Sequence, residues 1–331
     1  MKGVWRDIVT ALVMGMLLPG TVLNFASALL NKEPREVTAE ATAVEAPADV
    51  TEETLPPSVR LNMRLRKKSG EVVDGDLDTY LVGVVLAEMP ASFEMEALKA
   101  QTVVARTYTR KAYVTDGKHG DGSVCTNPGC CQAYISEEAY LAKGGTQENV
   151  DKIRYAIAAT SGYVLTYGET LIEAVYFSCS GGSTEDAVAV WGTDYPYLRA
   201  VDSPGEEGAA HFTDTFTFTP QEFQNALGVS LTGEPMSWFG SVTYTEGGGV
   251  DTMTIGGVDY PGTQLRSLLG LRSTAFTVDA GEDAVTITTH GYGHRVGMSQ
   301  YGADAMAAAG SGFQEILEHY YPGAVLTKLG R

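Results

Sequence analysis

The chain has 331 residues, a formal net charge of −18 and 44% hydrophobic residues. That is enough for a sizeable core in one large domain or two lobes, even with the first 58 residues set aside. The acidic balance excludes nucleic acid as a partner, because no basic tract exists to neutralise phosphates, and disfavours anionic lipid except near Lys2 and Arg6.

Residues 1–8 form a short basic tail, and 9–30 (VTALVMGMLLPGTVLNFASALL) carry no charge over 22 residues. That length spans a bilayer, with the positive flank in the cytoplasm. The rival is a cleavable signal, since Ala26-Ser27-Ala28 fits a small-residue cleavage site; the apolar length favours a retained anchor. Either reading places the remainder outside the cytoplasm. Residues 31–58 are poor in large apolar side chains and rich in Glu, Ala, Thr and Pro, the composition of a flexible acidic linker.

From 59 to 331 the pattern is that of a loop-rich α+β domain, with 38 glycines and 17 tyrosines in the chain. VRLNMRLR alternates like a strand. DTYLVGVVLAEM (78–89) predicts a helix with Asp78 as N-cap and Pro90 after its end, and a second helix is expected from near Phe93 past Tyr108, capped by Ser92. On that helix Gln101 falls in the apolar stripe of Leu98, Val104, Ala105 and Tyr108, either as a buried amide or as a substrate contact. Further on come a Cys-rich loop, a helix near 146–160 and strands in GYVLTY and LIEAVYFS. Residues 213–275 read as a smaller lobe ending in a helix closed by Gly270. A strand, a Gly-rich loop, a helix closed by Gly310 and a last helix follow, the last opening on Ser311 and Gln314 at capping-box spacing.

Three carboxylates crowd LAEMPASFEMEALKAQ (86–101). Glu94 and Glu96 belong to a helix start, where exposed N–H groups favour negative charge. Glu88 belongs to a helix end among apolar neighbours, where dipole and desolvation both raise a carboxyl pKa, as a general acid requires. HGDGSVCTNPGCC supplies His119, Cys125, Cys130 and Cys131, a set able to close a structural tetrahedral zinc site; disulfide and free-thiol states are the alternatives. YFSCSGGSTED (176–186) and HGYGHRVGMSQYGADAMA (290–307) read as tight Gly-rich turns or as substrate contacts.

Together VVLAEMPASFEMEALKAQTVVARTYT, SGGSTED, WGTDYPYLRAVDSP, LRSLLGLRST and HGYGHRVGMSQYGADAMA resemble the stage II sporulation protein D family, or SpoIID/LytB domain. The resemblance implies a two-lobed extracytoplasmic domain with a substrate cleft behind an N-terminal transmembrane helix. It implies a lytic transglycosylase that cuts peptide-stripped peptidoglycan glycan strands during engulfment, with Glu88 catalytic. Gln101, Arg106, Ser178, Tyr197 and His294 become candidate substrate contacts, and His119, Cys125, Cys130 and Cys131 a zinc site. Implied partners are the amidase/endopeptidase SpoIIP and the membrane protein SpoIIM, at the mother-cell membrane facing the forespore septum. LytB-type relatives leave a second expectation, a non-catalytic glycan-binding activator of a partner amidase. Three departures from the family pattern are Cys130 where a histidine is usual, which still supplies a ligand, Cys179 between the serines of the SGG loop and Arg295 where glycine is usual.

Overall fold

The computed structural model describes residues 62–67, 69–113 and 119–329; the expected anchor at 9–30 and linker at 31–58 lie outside them. Among the described residues no helix is long and apolar enough to cross a membrane. Strands β1 (Asn62–Arg66) and β2 (Val72–Asp76) pair antiparallel and lead into helix α1 (Leu77–Glu88). Its N-cap is Asp76, which accepts from the Thr79 amide, rather than the expected Asp78. Eight of its residues are buried, so apolar side chains surround the helix instead of forming a stripe. Pro90 disfavours helical backbone at Met89, which is extended (φ −131°, ψ 136°), and Glu88 is thereby left as the last helical residue.

Helix α2 (Met95–Lys111) starts one turn after Pro90 with Glu94 at its cap. Ser92 makes no cap, because the Glu94 amide is taken by Asp304 at 2.7 Å. Glu96 lies in the first turn, accepts from the Phe313 amide and pairs with Lys99 at 2.6 Å. Strand β3 (Ser123–Cys125) joins β1 in parallel; α3 (Glu137–Ala142), α4 (Gln147–Ala159), β4 (Tyr163–Tyr167), β5 (Thr170–Leu171), β6 (Tyr176–Phe177) and α5 (Ala187–Trp191) follow.

Residues 213–290 contribute β7 (Thr213–Phe218), α6 (Pro220–Leu227), β8 (Phe239–Tyr244), β9 (Val250–Ile255), β10 (Val258–Pro261), α7 (Gly262–Leu268), β11 (Phe276–Ala280) and β12 (Val285–His290). They form two antiparallel three-stranded sheets around a separate core of Phe223, Trp238, Ile255, Leu265 and Ile287. This module runs past the predicted end at 275, because β12 is the central strand between β11 and β7. Strand β13 (Met298–Ser299), α8 (Gln300–Ala308), α9 (Phe313–Tyr320) and β14 (Val325–Lys328) complete the fold. The N-cap of α9 is Gly312, one residue after the expected Ser311, so only the return half of a capping box forms, the Gly312 amide donating to Glu315. Helix α2 packs against α1, α4, α8, α9 and β4, so it carries the centre of the mixed α+β core.

Candidate active site

A pocket of about 350 Å³ opens at the end of α1, lined by Glu88, Tyr108, Pro128, Cys131, Gln132, Val175, Tyr176, Phe177, Ser178, Tyr292, Gly293 and His294. Glu88 is the one carboxylate in that lining. Burial pushes its pKa up, opposed by the Ala133 amide, which donates to Oε1 at 2.7 Å. The Tyr176 phenol lies beside it.

Hydrogen-bond direction decides what that phenol offers. The Thr109 hydroxyl gives its proton to the Ala105 carbonyl at 2.7 Å, so its oxygen accepts from Gln132 Nε2 at 2.8 Å. Gln132 Oε1 is then left to accept from the Tyr176 hydroxyl at 3.0 Å. A phenol donating to Glu88 would favour the carboxylate, but its one proton is committed to Gln132. Its contact with Glu88, like that of the Ala133 amide, still opposes burial and lowers the carboxyl pKa, and burial outweighs both. Tyr176 and Gln132 were not anticipated from sequence; the only available signal was their position in a strand and in the Cys-rich loop.

Two Gly-rich loops form the far wall. Cys179 and Tyr292 exchange backbone hydrogen bonds at 3.2 and 2.7 Å. A Cβ on Gly181 would sit 2.6 Å from the His290 carbonyl carbon, and one on Gly291 would sit 2.5 Å from the Ser180 oxygen. Both have positive φ, so glycine is required for this approach. Cys179 is fully buried and donates to Glu206 at 3.1 Å; burial and that carboxylate push its thiol up to about 12, which leaves it inert.

His294 lines the pocket against Phe177 and Trp191. Its Nδ1 accepts from the Val296 amide at 3.1 Å, and it also bonds the Tyr176 backbone. Burial and the nearby Arg266 charge push its pKa down to about 4, so it is a neutral ring at physiological pH. Ser178 lines the same pocket.

The other three candidate contacts are not among the lining residues. Gln101 is fully buried, with neither amide atom hydrogen-bonded among the described residues. Arg106 is 2% exposed and donates to the carbonyls of Ile157, Thr160 and Tyr163, closing the C-terminus of α4. The Tyr197 hydroxyl accepts from the Glu173 amide while its ring meets Tyr167 and Tyr195.

Arg295 faces the interior. It is 2% exposed, pairs with the buried Glu185 at 3.0 Å and donates to the Ser180, Ser183 and Gly247 carbonyls, clamping the SGG loop to the 245–249 turn. Its backbone sits at φ 65°, where glycine is unstrained and other residues lose roughly 1–2 kcal/mol. Arg295→Gly should therefore destabilise the protein by about 1 kcal/mol less than Arg295→Ala in urea unfolding. Equal losses would show that the left-handed backbone carries no strain.

The Cys-rich loop abuts the pocket. The ligand atoms of His119, Cys125, Cys130 and Cys131 all lie within 4.8 Å of one another, with His119 Nε2 3.6 Å from Cys130 Sγ and 3.8 Å from Cys131 Sγ. Tetrahedral zinc with bonds of about 2.0 Å to nitrogen and 2.3 Å to sulfur separates its ligands by about 3.5–3.8 Å, so the set fits. All four cysteines are free of disulfides. The loop is anchored by Tyr80, which donates to the Cys125 carbonyl, and by the Ile135 amide, which donates to the Gly83 carbonyl of α1.

A family model described as stage II sporulation protein matches residues 66–167, the stretch holding Glu88 and the His/Cys cluster. The chain is 39% identical to stage II sporulation protein D of Bacillus subtilis over 90% of its length and 88% of that protein. It is 38% identical to the Bacillus amyloliquefaciens protein of the same name, covering 91% of this chain and 88% of the relative. A third relative, the amidase enhancer of Bacillus subtilis, is 31% identical over 75% of this chain and 40% of its own length. A half-buried pocket carboxylate beside a His/Cys cluster, on a chain alike to these proteins almost end to end, places it in the stage II sporulation protein D family.

Proposed function

We propose that this protein is a lytic transglycosylase that cleaves MurNAc–GlcNAc bonds in peptide-stripped peptidoglycan strands during engulfment. The observation that carries this reading is a pocket whose lining holds one carboxylate, held toward its protonated form. Ordinary retaining or inverting hydrolysis needs a second carboxylate across the bond. A lytic transglycosylase does not. Glu88 gives its proton to the glycosidic oxygen as the bond to the anomeric carbon breaks. The resulting carboxylate takes the proton from the C6 hydroxyl, whose oxygen closes onto the anomeric carbon as a 1,6-anhydro ring. Glu88 ends protonated and no water is consumed.

In this reading His119, Cys125, Cys130 and Cys131 hold a structural zinc ion, leaving no open position for chemistry on the metal. The domain stands outside the cytoplasm on the 9–30 anchor, at the mother-cell membrane facing the septum, with a cleft between two lobes. SpoIIP supplies the stripped strands and SpoIIM shares the membrane site.

The relative named amidase enhancer favours a second reading, a glycan-binding activator of a partner amidase. Incubating the protein with peptide-free strands and reading products by mass spectrometry separates the two. Anhydro ends support the enzyme. No products, together with faster release of stem peptides by an added amidase, would replace it with the activator.

A further inference from the structure

The run LRSLLGLRST carries Arg266 and Arg272, which the proposed chemistry leaves unused. Both stand by the pocket rim. Tyr292, a lining residue 37% exposed, has the Arg272 guanidinium over its ring, with Cζ 4.9 Å from the centroid. Arg272 Nε lies 3.3 Å from Asp214 Oδ2, at an angle that makes an ion pair but no hydrogen bond. The same carboxylate oxygen also holds His211 Nδ1 at 2.7 Å, so Asp214 is shared between two partners.

Arg266, in the last turn of α7, is half-buried and makes no hydrogen bond or ion pair among the described residues. It lies close enough to Tyr292 and His294, both in the pocket lining, for its charge to be felt at His294. A guanidinium that loses water without gaining an acceptor costs free energy. With 41 acidic residues against 23 basic, the chain has carboxylates to spare, yet none among the described residues pairs with Arg266. An unpaired guanidinium fork of this kind matches a carboxylate.

We propose that Arg266 and Arg272 form a carboxylate subsite beside Glu88 that reads the lactyl group of a muramic acid residue. This rests on the glycan-strand reading above. In a strand without stem peptides the lactyl carboxylates are the repeating anions, one on every second sugar. Holding one at a fixed distance from Glu88 sets the register, so that only one of the two alternating bonds lies over the acid. The subsite therefore provides bond selectivity as well as affinity.

Calorimetric titration of the full chain in detergent, carrying Glu88→Gln to prevent turnover, tests this. The probes are a peptide-free GlcNAc–MurNAc hexasaccharide, the same strand with its lactyl groups amidated, and a chitin hexasaccharide. The acid form should bind at least about tenfold more tightly than the amide form, as a charge-assisted pair implies, with the preference shrinking as salt rises. Arg266→Gln should erase the preference and leave affinity for the amidated strand unchanged. Arg272→Gln should do the same where its thermal midpoint shows it folded; Arg266→Gln decides the matter alone if it does not. Equal binding of acid and amide forms, or a preference that survives Arg266→Gln, overturns the subsite while leaving the glycan reading intact. Failure of all three glycans to bind overturns both.

Discussion

Glu88→Gln should lower cleavage of peptide-free strands by about 10²–10⁴, the range for losing a positioned general acid, yet raise stability at neutral pH. Both expectations follow from one fact. Burial holds the Glu88 pKa above the ordinary carboxylate range. The folded state therefore binds this proton more tightly than the unfolded chain does. Below the unfolded pKa the group is neutral in both states and costs nothing. As pH rises from there through the raised folded pKa, the protein must ionise a desolvated carboxyl, and stability falls. Glutamine removes that penalty, so the variant gains in thermal midpoint at pH 7 and the gain disappears in acid. Activity has the same origin: wild-type rate should fall as pH rises through the raised pKa, because only the protonated form can start the reaction. Tyr176→Phe should retain part of the rate with this limb moved to higher pH, since the phenol contact that opposes burial is gone. Release of anhydro products by mass spectrometry and thermal melts across pH check the set. Undiminished cleavage by Glu88→Gln would remove Glu88 from the chemistry, and a lower neutral-pH midpoint would refute the account of its burial.

Local sequence carried the acid's position but not its surroundings. Pro90 marks the end of α1, and that boundary alone distinguishes Glu88 from Glu94 and Glu96 at the start of α2. The four candidate metal ligands in one loop, a histidine and three cysteines, were legible for the same reason: a turn such as Cys130 and Cys131 bonding back to the Asn127 carbonyl is a short-range event. Caps were misplaced by one or two residues, because which polar side chain closes a helix depends on what else reaches its amides; Asp304 reaching Glu94 is one case. Long-range partners left no local trace. Arg106 has the helical position of a surface cation, but it spends its donors on the end of α4. Arg295 stands in a loop rich in glycine, and only the fold shows that it points inward to Glu185. The polarity of the Thr109–Gln132–Tyr176 chain depends on three elements meeting, which no window of sequence contains.

If the cluster holds the proposed zinc, removing it should disable strand cleavage although such an ion would touch no substrate. Cys131 is followed directly by Gln132 and Ala133, the residues that bond Tyr176 and Glu88. Three consecutive residues thus join the cluster to the acid. Beyond the anchors from Tyr80 and Ile135, Cys125, Cys130, Cys131 and His119 meet only through their ligand atoms, and Cys130 is only partly buried. Burial raises the Cys131 thiol pKa, so without a cation the group stays protonated and three thiols crowd one another. A dication reverses this by taking the thiolates, and its binding free energy becomes folding free energy for the loop. The purified protein should carry about one zinc per chain by elemental analysis. Cys130→Ser with Cys131→Ser should lose it, and strand cleavage should fall by about 10²-fold as Ala133 and Gln132 lose register with Glu88. The 213–290 module has its own core, so far-ultraviolet circular dichroism should retain much of its amplitude while the thermal midpoint drops. Adding back zinc should rescue chelated wild type and not the double variant. If the double variant binds no metal yet cleaves strands at the wild-type rate, the loop holds Glu88 in place without it, and the tie between cluster and acid is mechanical packing alone.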